Sequence, residues 1–121
     1  MPKDFDRIRR VAEQIQRELA MIIQQELTDP RISMVTVSAV ELSRDLKHAK
    51  VFITSLDDSH QHSDTVDALQ HATGFLQHEL GHRLRMRTIP RLHIVYDESI
   101  ERGSKLSALI DSALKDDLNR G

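Results

Sequence analysis

Residues 64–86 read Asp-Thr-Val-Asp-Ala-Leu-Gln-His-Ala-Thr-Gly-Phe-Leu-Gln-His-Glu-Leu-Gly-His-Arg-Leu-Arg-Met. Val66, Leu69, Thr73, Leu76, Leu80 and Leu84 recur at steps of three and four, which lays one stripe along a helix. Gly74 and Gly81 interrupt that stripe, each costing about 1 kcal/mol relative to alanine in a helix interior. The spacing therefore predicts a helix from about Asp64 to Met86 that is kinked or broken near Ala72-Thr73-Gly74. A helix of that length between two strands is a crossover, so the strands it joins lie in one small sheet of mixed direction.

Working outward, Ile32–Leu42 is rich in β-branched residues and Ala49–Leu56 alternates in character, so both read as strands. Ser43-Arg44-Asp45-Leu46 supplies turn formers between them and predicts an antiparallel hairpin. Beyond the broken helix, Ile89–Tyr96 alternates again and reads as a third strand, with Pro90 suited to its start. Upstream, Ile8, Val11, Ile15, Leu19, Ile22 and Ile23 mark a first helix from Phe5 to about Leu27. It is ended by Thr28-Asp29-Pro30, because the residue before a proline is pushed out of the helical region. Leu106, Leu109, Ile110, Ala113 and Leu114 give a short stripe near the C-terminus. The expected architecture is an α+β domain over 1–98, with helices on one face of a three-stranded sheet, and a C-terminal helix or partly ordered tail over 99–121.

Composition narrows the function classes. A chain of 121 residues supports one core. It has no cysteine, which excludes disulfide scaffolds, zinc ribbons and thiol chemistry. Apolar runs are only a few residues long and the charged N-terminal residues Lys3 to Arg10 carry no apolar segment behind them, so neither a membrane span nor an export signal is expected and the chain is read as cytoplasmic. Net charge is −2, yet residues 51–82 hold no Lys or Arg, whereas Arg83, Arg85, Arg87 and Arg91 follow without an intervening carboxylate. Segregation of this kind creates local fields that steer a polyanion despite the negative total.

His78-Glu79-Leu80-Gly81-His82 matches H-E-x-x-H, which in zinc peptidases puts two imidazoles on one helix turn beside a general base. The extended pattern fails, with Arg85 and Thr88 where glycine and histidine are required, so Glu98 or Glu101 would have to be the third ligand. With Leu76, Leu80 and Leu84 facing the core, His78 and His82 fall about 200° round the helix, on an outer line with His71, Phe75 and Arg85. Phosphate-cradling glycine motifs and the G-x-S-x-G elbow are absent, and no cofactor is implied. Arginine offers a forked donor matched to phosphate, and clusters of it on a small α+β domain point to RNA binding. Phe5, Phe52, Phe75 and Tyr96 are too few for a base-stacking sheet.

Asp29-Pro30-Arg31-Ile32, Ser43-Arg44-Asp45-Leu46-Lys47-His48-Ala49-Lys50-Val51, Ala72-Thr73-Gly74-Phe75, Leu80-Gly81 and Arg87-Thr88-Ile89-Pro90-Arg91-Leu92 occur in that order. Together they resemble the bacterial ribosome-binding factor A family over residues 5 to about 103. The resemblance implies a type II KH-like fold. It further implies association with the free small (30S) ribosomal subunit, help in late maturation and processing of 16S rRNA, and importance in the cold. An Ala-x-Gly kink, here Ala72, Thr73 and Gly74, then stands where other KH domains carry a backbone-clamping G-x-x-G. On this reading the protein is a non-catalytic monomer, able to meet other assembly factors. Expected RNA contacts, chosen on charge and position, are Arg7, Arg10, Lys47, Lys50, Arg83, Arg85, Arg87 and Arg91. Basic residues common at this helix in the family are replaced by His71, His78 and His82, so binding is expected to weaken at alkaline pH. The rivals are a zinc-dependent hydrolase built on His78, Glu79 and His82, and a protein-interaction adaptor whose binding would resist high salt.

Overall fold

The computed structural model describes residues 2–56 and 61–99. The long apolar stripe forms α1 (Pro2–Glu26), in which Ile15, Leu19 and Ile22 are fully buried; each such side chain contributes roughly 1.5–3 kcal/mol of transfer free energy. Asp29 ends the approach to the sheet: its carboxylate accepts from the Arg31 backbone N–H at 2.9 Å and from the Arg31 guanidinium, capping a 3-10 turn over Pro30–Ile32. Ile32, expected in the first strand, belongs to this turn and is buried there.

Strands β1 (Val35–Leu42) and β2 (His48–Ser55) pair antiparallel, from Val35 opposite Ser55 to Leu42 opposite Ala49. A bulge at Ser38 shifts the register between Val37 and Ala39. Strand β3 (Arg91–Tyr96) pairs parallel to β2, with His48 opposite Arg91 and Ile53 opposite Tyr96, giving the mixed order β1-β2-β3 that the crossover requires.

The crossover is broken as its sequence predicts: α2 (His62–His71) and α3 (Thr73–Arg83) meet at Ala72, whose φ of −89° and ψ of 0° leave the helical region. The Thr73 hydroxyl donates to the Gln70 carbonyl at 2.8 Å and so satisfies one acceptor freed by the break. The second helix stops at Arg83, earlier than the expected Met86. Leu69, Leu76, Leu80 and Leu84 meet Ile15, Leu19 and Ile22 of α1 over Val37, Val51, Ile53, Leu92 and Ile94 of the sheet, forming one core. The architecture is the expected α+β arrangement of helix, two strands, broken helix and strand. Of the C-terminal unit expected over 99–121, all but Ser99 lies outside the described residues.

Candidate nucleic-acid interface

Three segments far apart in sequence enclose one open groove of about 560 Å³. The start of α1 contributes Arg7, Val11 and Gln14, the β1–β2 turn contributes Asp45, Leu46 and Lys47, and the α3–β3 connection contributes Leu84 to Thr88. Arg7, Lys47, Arg85 and Arg87 are exposed around it, and Asp45 is the one carboxylate among its lining residues. Val11, Leu46, Leu84 and Met86 form its apolar floor.

Local chemistry explains each wall. At its C-terminus α3 gives way to extended backbone at Leu84 (φ −109°, ψ 134°), whose N–H still donates to the Leu80 carbonyl at 2.8 Å. Leu84 and Met86 pack on the core, leaving Arg85 and Arg87 outside. In the hairpin turn, the Leu46 N–H donates to the Ser43 carbonyl at 3.0 Å and the Ser43 N–H to the His48 carbonyl at 2.9 Å. The Asp45 carboxylate is held below the usual carboxylate range by the Ser43 hydroxyl, which donates to it at 2.6 Å, and then by the Lys47 backbone N–H. This bracing holds Leu46 at a φ of 61°, the one positive φ of a non-glycine residue among those described. For a residue with a Cβ that conformation costs on the order of 1 kcal/mol.

The remaining expected contacts are placed differently. Arg10 is exposed on α1 outside the groove lining. Arg83 reaches Glu18 of α1 with 3.3 Å between Nη1 and Oε2, each side chain about a quarter exposed, so its charge joins two helices. Lys50 and Arg91 lie on the sheet face away from the helices; there Lys50 stands opposite Glu41 and His93, and Arg91 opposite His48. The His48 Nδ1 and His93 Nε2 atoms on that face are 3.0 Å apart.

The kink is exposed at Gly74, where an added Cβ would meet nothing within 4 Å. His71, Phe75, His78 and His82 are exposed along the same broken helix, as the wheel predicts. The Nε2 atoms of His78 and His82 lie 3.2 Å apart, but among the described residues no third His, Cys, Asp or Glu joins them in a group that could hold a metal. Glu101, one suggested third ligand, lies outside those residues.

Three glutamines escaped the sequence reading. The Gln16 amide donates to the adjacent Val37 and Ser38 carbonyls at the bulge of edge strand β1, at 3.2 and 3.1 Å. On the other edge, Gln70 donates to the Leu92 carbonyl and accepts from the Ile94 N–H, while Gln77 accepts from the Leu92 N–H. The residues on either side of the kink thus close the free edge of β3. Polar residues flanking a helix stripe look like solvent-facing ones in sequence, and no local signal distinguishes them.

Among the described residues, no helix is long and apolar enough to cross a membrane. Residues 7–110 match the family model described as ribosome-binding factor A. A curated relative of that name from Thioalkalivibrio sulfidiphilus is 56% identical over 117 residues, covering 97% of this chain and 91% of its own. The crystal structure of ribosome-binding factor A from Thermus thermophilus superposes with a TM-score of 0.67 at 34% identity, over 72% of this chain and 91% of that one. A homology model of the Thermus thermophilus factor, fitted into the cryo-electron-microscopy map of its 30S complex, superposes at a TM-score of 0.61 and 33% identity, with the same coverage of 72% and 91%.

Proposed function

The chain belongs to the ribosome-binding factor A family, and from that premise we propose that it binds the free small ribosomal subunit in the cytoplasm and assists late maturation of 16S rRNA, including in the cold, without catalysis of its own. The observation that supports this reading best is the convergence of Arg7, Lys47, Arg85 and Arg87 on one groove. Four forked or flexible cations against the single, turn-bound Asp45 make a surface suited to phosphate oxygens. Gly74, with open space beside its Cα, lets an RNA backbone approach the kink closely. Arg10, Lys50 and Arg91 extend the positive field beyond the groove, whereas Arg83 serves the α1–α3 contact. Residues 1–98 are the RNA-binding unit, 99–121 its C-terminal appendage, and the protein acts as a monomer open to other assembly factors.

Binding stabilises one conformation of the immature rRNA by the difference in affinity between that form and the mature one, and release follows when the mature form no longer offers the site. Cosedimentation with purified immature and mature subunits tests this. Stoichiometric, salt-sensitive binding that prefers the immature particle is expected; equal binding to both, or none, contradicts it.

A further inference from the structure

We propose that the groove takes one unstacked nucleotide of a single-stranded RNA segment, its base on the apolar floor and its two flanking phosphates on the rim cations. This deepens the RNA-binding reading and rests on it. The groove is layered in chemistry: Val11, Leu46, Leu84 and Met86 lie at the floor, and Arg7, Lys47, Arg85 and Arg87 stand around it. A surface that met only phosphates would have no use for that floor, since a phosphate oxygen gains nothing from apolar contact. Its volume of about 560 Å³ is in the range of small-ligand sites and has room for one nucleoside. The lining holds no aromatic residue, so the base rests on the apolar floor and the rim guanidinium groups are left to its flanking phosphates.

The second observation is Leu46. Its φ of 61° is one that glycine would adopt freely, yet a leucine occupies it, held by the hydrogen bonds of the turn and half-buried at the groove. Backbone outliers cluster at ligand clamps, where the surrounding structure enforces them. Here the strained turn presents an apolar side chain to the groove next to the Lys47 cation.

Equilibrium binding of the full chain to purified immature small subunits, across a salt series, tests the inference. Leu46→Gly relieves the backbone, and Leu46→Asn keeps a residue that tolerates this conformation, so both retain the fold, as thermal unfolding will report. Each is expected to bind about tenfold more weakly, the scale of one lost base contact, with the slope of log K against log salt unchanged. Leu46→Met should bind as the unsubstituted chain does. A reagent that modifies Watson–Crick base edges should find one unpaired base protected in the unsubstituted complex and reactive with Leu46→Asn. Unchanged affinity for both polar and glycine variants, with Arg85→Gln still lowering the salt slope, would overturn the inference and leave the proposed function standing. Failure of the unsubstituted chain to bind would overturn both.

Discussion

Gly74 illustrates how far a single residue could be read. Its place in the helical stripe suggests that glycine breaks the helix, but the break falls at Ala72, and neither Gly74 nor Gly81 has a positive φ. The sequence signal placed the break within Ala72-Thr73-Gly74, where it falls, because the stripe contains a weak helix former there; the hydroxyl of Thr73 and the geometry of Ala72 carry it. Gly74 is therefore dispensable for the fold. Gly74→Ala is expected to leave stability unchanged or raise it by up to about 1 kcal/mol in thermal unfolding, while weakening binding to immature subunits. At the end of β3, Asp97 is held below the ordinary carboxylate range first by Ser99 and then by the Ser38 hydroxyl, which donates at 2.7 Å. A depressed carboxylate stabilises the fold above its unfolded-state pKa, and the effect is lost as pH falls through its folded-state value. Thermal melts should thus show Asp97→Asn less stable than the unsubstituted chain near pH 7, with the two converging in strong acid.

At the scale of elements, the strands and helices were legible from periodicity, since apolar stripes and β-branched alternation are local properties. Their closing contacts were not. Gln70 satisfies two backbone groups of β3 and Gln77 a third, and both partners lie well away in the chain. Gln70→Ala should cost about 1–2 kcal/mol in denaturant unfolding by leaving those groups unpaired, and should speed hydrogen exchange at Ile94. Arg83 is the converse case, a cation whose neighbours in sequence suggest phosphate contact but whose side chain pairs with Glu18 of α1. For a partly exposed pair about 0.5 kcal/mol is at stake. Arg83→Gln is expected to lower stability by that order and to leave the salt dependence of subunit binding unaltered.

The whole molecule brings together what no segment carries alone. Crossover length foretold a mixed sheet with helices on one face, and β2–β3 pairing has that direction. The groove was not foretold, because Arg7, Lys47, Arg85 and Arg87 come from a helix, a turn and a connection whose convergence is a tertiary property. Charge segregation marked the arginines as a group but could not separate those at the groove from Arg83, Lys50 or Arg91. That groove is the proposed RNA contact. The most direct measurement is the salt dependence of affinity for immature small subunits, compared between the unsubstituted chain and a variant carrying Arg7→Gln, Lys47→Gln, Arg85→Gln and Arg87→Gln. With the two phosphates held by these four cations no longer neutralised, the slope of log K against log salt should fall by about 1.4, with thermal unfolding unchanged. A slope equal to that of the unsubstituted chain in a folded variant would contradict this assignment and place the RNA contact elsewhere on the protein.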